Sequence, residues 1–425
     1  MNRKNNYFSK KSVIKEISIL GLLIIFYILI RSIHFASYIN FSHDQGLFSS
    51  RAIEIYRNKS LTLIGPSISY IFQGREIFQG GVIYYVFLLF LWLGNFEPLM
   101  ASYFFMLFSA VMLIPLFYGV KLLMNKNAAW LVCIIYTFLP FYINYSRFLW
   151  NPNFQFSLLP ILILFMGLFN KYNKVYLFGL MSIFLGILLQ FHYQFIVIII
   201  GIAIYYFVLK QTKLSFLPVY TIGLMIGLSP LILFELRNNF YNLQTIYFFL
   251  SHGQYFLNSG GSMQSHYFLS ISFFVLLFFV SVVQKYFSEI KLIVLTVILL
   301  SISVFIYGRK PLNAFGMSDN WNYISEEKAF RLIKAQKILN FNVANTIYDT
   351  KASVQKYLLR RDAVIINEED YYNNKYLFVI STNKDTFTGK RAYEIETFKP
   401  SVIVSNWKIN DYYKLYLLKR IGKDD

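Results

Sequence analysis

"FSHDQGLFSSRAIEIY", Phe41–Tyr56, places Asp44 directly after the first long apolar run, and Asp44 is the only aspartate in the first 318 residues. The residues beyond it are amphipathic at helical spacing. Leu47, Phe48, Ala52 and Ile55 form one face, and Ser50, Arg51, Glu54 and Arg57 the other. A lone carboxylate opening a short amphipathic helix, in a landscape almost free of acid, calls for a reading of its surroundings.

Those surroundings are membrane. Only 14% of the 425 residues are charged and 56% are hydrophobic, whereas soluble domains carry about a quarter charged residues. The chain is therefore read as an integral membrane protein. A net charge of +19 raises nucleic acid as a partner, but the basic residues before position 308 sit in short clusters between apolar runs. Anionic headgroups and the positive-inside rule account for such clusters. The single cysteine, Cys133, lies within an apolar run, which excludes a disulfide or a Cys-rich metal site.

A helix needs about 20 apolar residues to span a bilayer core. Runs at 17–33, 99–120, 128–144, 154–170, 174–190, 193–209, 214–234, 267–284 and 291–307 qualify, giving nine expected spans. A tenth run, "GVIYYVFLLFLWL" (Gly81–Leu93), has 13 residues and reaches only about 20 Å as a helix, so it is expected at the membrane surface or half-inserted. Charge parity agrees. With a cytoplasmic N-terminus (1–16), the inner segments carry 13 Lys and Arg, whereas the short outer connections after the second span hold only Arg147 and Arg237. The expected architecture is an all-α polytopic bundle (17–307) with juxtamembrane helices in a long outer loop (34–98). No cleaved signal is expected, because no small-residue site follows the first run.

From about Gly308 the composition changes: 308–425 holds 14 of the 21 acidic residues and 20 of the 40 basic ones. "SEEKAFRLIKAQKIL" (Ser325–Leu339) and "KASVQKYLLRR" (Lys351–Arg361) read as helices, and "DAVIIN" (362–367), "KYLFVIST" (375–382) and "SVIVSNW" (401–407) as strands. A small extracytoplasmic α/β domain is expected there.

The spans themselves are nearly charge-free, and polar residues gather at their outer ends in four clusters. These are "SHDQG"; "YSRFLWNPNF" (Tyr145–Phe154) with Arg147, Trp150 and Asn151; "LQFHYQF" (Leu189–Phe195) with Gln190, His192 and Tyr193; and "FELRNNFYN" (Phe234–Asn242) with Glu235 and Arg237. Glu76 is a further acid of the outer loop. Each has a plainer reading: Asp44 as a helix cap, Arg147 and Asn151 as loop geometry around Pro152, His192 and its neighbours as satisfied helix ends, Arg237 as a partner of Glu235, and Glu76 as a solvated loop acid.

A long first loop with an Asp one turn before an amphipathic juxtamembrane helix, a half-embedded apolar helix and then "SRFLWNPN" together resemble the GT-C membrane glycosyltransferases. More narrowly they resemble glycosyltransferase family 39, the relatives of protein O-mannosyltransferases and of aminoarabinose transferase. The resemblance spans about residues 15–310. It implies a polyprenyl-phosphate sugar donor, a lipid, glycan or protein acceptor glycosylated outside the cell membrane, and a catalytic role for the first-loop aspartate, here Asp44. Sugar transfer from a lipid phosphate needs a base for the acceptor proton and cations for the phosphate, so Arg237, Arg147 and Arg75 are candidate phosphate partners. Trp150 and Tyr193 offer rings for a sugar to stack on. Some relatives carry a second acid where Asn151 stands, and an amide neither acts as a base nor anchors a cation; no metal or other cofactor is expected. The rival readings are a lipid-linked saccharide flippase, for which the spans offer too few mid-depth polar residues, and a non-catalytic envelope-assembly protein.

Overall fold

The computed structural model describes residues 10–72, 74–252, 265–368, 372–382 and 392–421. All nine apolar runs fold as helix, as backbone amides in hydrocarbon must be satisfied within their own segment. Among the described residues, Val13–Ser32, Pro98–Leu123, Asn151–Tyr172, Ser265–Tyr286 and Glu289–Tyr307 are long and apolar enough to cross a membrane, and Leu214–Gly227 with Ser229–Arg237 makes a sixth candidate bent by 71°. Lys126–Phe138, Val175–Phe191, Tyr193–Leu209 and Val82–Leu93 are shorter apolar helices.

Two interruptions shape the bundle. The run at 128–144 breaks at Pro140, which has no N–H to give the carbonyl of Tyr136. Arg31, fully buried at the end of the first helix, reaches into the gap: it donates to Thr137 O at 2.8 Å and Tyr136 O at 3.3 Å, while Nε donates to Ser146 Oγ at 2.6 Å. Ser303 Oγ donates to the next freed carbonyl, Phe138 O, at 2.8 Å. A buried cation here replaces the helix bonds that proline removes. The bend after Gly227 lies where that glycine crosses the helix Val175–Phe191. A Cβ on Gly227 would stand 2.1 Å from Ile183 O, so the two backbones touch through it.

The loop 34–98 departs from an all-α expectation. After the helix His43–Asn58 the chain forms an antiparallel hairpin, β1 (Ile64–Phe72) and β2 (Arg75–Gly80), before the helix Val82–Leu93. Gly74, at φ +74°, supplies the left-handed turn. β2 crosses the ends of four helices: Gln79 meets Asn151, Phe78 meets Tyr193 and Asn242, and Gly80 lies against the Gln190 side chain.

The C-terminal segment is α/β as expected. Its sheet has the order β3 (Phe341–Asn345), β4 (Tyr376–Thr382), β6 (Tyr413–Arg420), β5 (Ser401–Lys408), with β3 parallel to β4 and the other pairings antiparallel. Helices run over Tyr323–Ala335 and Ser353–Arg361. The expected strand "DAVIIN" is absent: Asp362–Val364 close the preceding helix instead. Ala363 is left-handed (φ +57°), and Val364 N–H returns to Leu359 O at 2.9 Å. β4 alternates as a strand buried on both faces. Phe378 and Ile380 join the large core that runs into the helical bundle, and Leu377 and Val379 join a second cluster with Ile395 and Phe398. The segment is thus not a free appendage. Tyr357 Oη donates to Phe96 O at 2.7 Å, Tyr323 Oη to Glu97 Oε1 at 2.5 Å, and Asn40 Nδ2 to Phe315 O at 3.0 Å.

Candidate functional site

Asp44 is not the helix cap. The cap is Ser42, whose backbone N–H and hydroxyl both donate to Gln45 Oε1, at 3.1 and 3.0 Å. Asp44 lies inside the first turn, where the helix dipole favours a negative charge. Its half-buried carboxylate receives Trp150 Nε1–H on Oδ2 at 3.1 Å. Oδ1 meets no donor among the described residues, so one oxygen is held and the other has no protein partner there.

From Trp150 the contacts run on through the other polar helix ends. The indole ring stands edge-on to His266, with centroids 4.5 Å apart, and His266 lies 6.0 Å from the ring of His192. Burial, with His266 adding to it, lowers the His192 imidazole to about 4, so it is neutral at neutral pH. Its Nδ1 is buried with no partner among the described residues. The carbonyl of His192 accepts from Gln155 Nε2 at 3.1 Å, and Ser270 Oγ donates to the other end of that amide at 2.8 Å. Asn151, buried one residue after Trp150, donates to Gln79 Oε1 at 2.9 Å and Phe191 O at 3.2 Å. Phe191 O can only accept, and a carboxylate would meet it oxygen to oxygen, which is a physical reason for the amide. Gln190 donates to Gly227 O at 2.6 Å, and Tyr193 Oη to Phe78 O.

The structure thus brings Asp44, Trp150, Asn151, Gln190, His192 and Tyr193 into one connected wall. Gln79, Gln155, Ser270 and His266 complete it, and sequence reasoning missed all four. Only the doubled "IFQG" at 71–74 and 77–80, which flags a hairpin that would carry Gln79 inward, gave any signal.

The remaining candidates take other places. Glu235 accepts the amides of Asn242 and Leu243, each at 3.2 Å, so it caps the helix Tyr241–Ser251 and is not paired with Arg237. Arg237 is exposed, three residues beyond Phe234. Arg75 stacks on Phe248 at 4.7 Å, three residues before Phe78. Phe78, Phe234 and Tyr241 form one ring cluster with centroids 6.0–6.4 Å apart. Glu76, half-exposed on β2, offers its amide to Tyr241 Oη at 3.4 Å. Arg147 is fully buried between the rings of Tyr38 and Tyr307, at 4.4 and 4.3 Å, and donates to Ile30 O at 2.9 Å. Its Nε and Nη1 have no partner among the described residues. No three His, Cys, Asp or Glu side chains gather as a metal-ligand set among the described residues, so Asp44, Glu76 and His192 do not converge on one.

No family model matches the chain, and no curated protein does. Solved structures do. ArnT from Cupriavidus metallidurans in the apo state superposes with a TM-score of 0.59 at 8% identity, covering 96% of this chain and 98% of that one. The same protein bound to undecaprenyl phosphate gives 0.55 at 8% identity, covering 98% and 99%. The chain has the GT-C fold. ArnT is a GT-C aminoarabinose transferase, and the match runs through the C-terminal segment as well as the bundle. The GT-C likeness therefore extends past the residues 15–310 that carried the resemblance in sequence.

Proposed function

We propose that this chain is a membrane glycosyltransferase that moves a sugar from a polyprenyl-phosphate donor to an extracytoplasmic lipid, glycan or protein acceptor. The observation that carries the reading is Asp44: relieved of capping by Ser42, anchored on one oxygen by Trp150 and free on the other, at the outer rim of a bundle with the GT-C fold. ArnT has been crystallised with undecaprenyl phosphate bound, which supports a lipid phosphate as the donor's leaving group here.

The chemistry is a single displacement with inversion. The acceptor hydroxyl oxygen bonds to the anomeric carbon as its proton passes to Asp44 Oδ1, and the bond from that carbon to the phosphate oxygen breaks. Arg237, exposed and unpaired with Glu235, is the proposed partner for the departing phosphate, with Arg75 as a second candidate. A guanidinium fork matches two phosphate oxygens at once. Trp150 and Tyr193 present rings to the sugar, and neutral His192 serves as a hydrogen-bonding group. The N-terminus is proposed to be cytoplasmic and the C-terminal segment extracytoplasmic, at the cell membrane.

Transfer is proposed to be metal-independent, since a monophosphate leaving group asks less of a cation than a diphosphate. Enzyme treated extensively with EDTA should keep its activity; loss restored by Mg²⁺ or Mn²⁺ would contradict this. The class itself is tested by mass spectrometry of lipids that copurify with the protein. A polyprenyl-phosphate monosaccharide is expected. A polyprenyl-diphosphate oligosaccharide in its place would favour a flippase.

A further inference from the structure

The helix that carries Asp44 is gripped from two sides. On one side is Trp150; on the other is the C-terminal segment. His43, first residue of the helix, directs Nδ1–H to Asp349 Oδ1 at 2.9 Å and shares it with Ser353 Oγ at 3.1 Å. Asp349 is 4% exposed at its side chain, against 40% for His43. Its Oδ2 also accepts Ser353 N–H at 2.7 Å, so the same carboxylate starts the helix Ser353–Arg361 and holds His43. Gly46 completes the seat: a Cβ there would lie 2.8 Å from Ser353 C and from Val354 N, so the two first turns meet backbone to backbone.

We infer that Asp349 is a positioning residue of the reaction centre, which through His43 fixes the helical turn that aims Asp44. The inference rests on the reading of Asp44 as the base. It gives the C-terminal segment a task in the reaction, beyond covering the loop. Consecutive helical residues point about 100° apart, so a hold on His43 and a hold on Asp44 together set the roll of that turn. A sub-ångström shift of a base is enough to cost one to two orders of magnitude in rate.

The clasp is charged over a defined range. The bond to Asp349 raises the His43 imidazole above its ordinary value, against the opposing effect of burial, with Asp44 and Lys351 the other charges facing it. Burial pushes Asp349 up, but the bonds from His43 and Ser353 outweigh it and leave the carboxyl below its ordinary value. Glu326 and Lys356 are the other charged groups near Asp349. A raised imidazole contributes fully below pH ~6.5 and is lost as pH rises through its elevated value; the depressed carboxylate contributes above its ordinary value and is lost as pH falls through the depressed one. The ion pair therefore holds between the depressed value of Asp349 and the raised value of His43, and lapses as pH rises past the latter.

The test uses the full chain in nanodiscs, comparing wild type with D349N, H43N and the double variant. D349N retains an oxygen for the Ser353 amide but not the charge, and H43N alters only a part-exposed ring. Hydrogen–deuterium exchange at amides 43–48 should quicken about tenfold or more in either single variant, and no further in the double. With polyprenyl-phosphate sugars extracted from source membranes, kcat should fall roughly ten- to a hundredfold at unchanged donor KM. The alkaline limb of the kcat profile should also disappear. Unchanged exchange in D349N overturns the clasp, and so does an additive loss in the double variant. If D44N keeps full transfer while D349N still loosens the turn, it is the assignment of Asp44 that fails and the clasp that stands.

Discussion

Asp44 illustrates how far single residues can be read and where they mislead. Its isolation in the sequence singled it out, but that Ser42 caps the helix in its place needed coordinates, because Ser42 and Asp44 are both good capping types two positions apart. Asn151 was legible as a missing acid, yet the reason for the amide was not, since Gln79 and Phe191 lie 72 and 40 residues away. The Trp150 bond gives a sharp expectation. Trp150→Phe keeps a ring against His266 and removes only the N–H to the carboxylate. A hydrogen bond to a charged group is worth about 1.5–3 kcal/mol, so kcat should drop roughly ten- to a hundredfold while donor lipid still binds. Steady-state transfer paired with native mass spectrometry of the bound lipid checks this, and unchanged kcat would detach Trp150 from the base.

Among elements, helices were legible because lipid forces backbone bonds to close locally, whereas the hairpin was not. β1 and β2 pair only with each other among the described residues and lie beside polar helix ends, and no long apolar alternation announces them. β3 and β6 were missed for a similar reason: Asn342 and Asn345 interrupt the first, and lysines flank the second. The Pro140 break leads to the next expectation. Arg31→Met, similar in length, should strand the carbonyls of Tyr136 and Thr137 at about 1–3 kcal/mol each. Its melting temperature in detergent should fall below that of Ser303→Ala, which removes one donor; equal midpoints would show that water fills the break. In the C-terminal segment, fully buried Glu326 accepts from Tyr348, Trp321 and Gln355, and burial outweighs those bonds to raise its carboxyl from 4.5 to about 7. The folded state then binds a proton that the unfolded chain releases. Stability from this group is full below pH ~4.5 and declines as pH rises to about 7. Thermal unfolding of wild type and E326Q across that window should show the decline in wild type alone, and parallel curves would contradict it.

At the scale of the whole molecule, composition and the apolar runs made a multi-pass membrane protein legible, and short motifs pointed to the GT-C fold. The joining of the C-terminal segment to the outer loop was not legible, because Tyr323, Asp349 and Tyr357 find their partners more than 200 residues away. Apolar content says that a surface is buried, but not against what. The central claim, that these outer ends form a transferase centre with Asp44 as its base, is tested most directly by one measurement. Purified wild type and D44N are compared for sugar transfer from extracted polyprenyl-phosphate sugars, with bound donor quantified in the same samples. Loss of a general base typically costs 10²–10⁴-fold, and turnover in D44N should fall by about that factor with donor occupancy unchanged. Wild-type turnover in D44N would contradict the account.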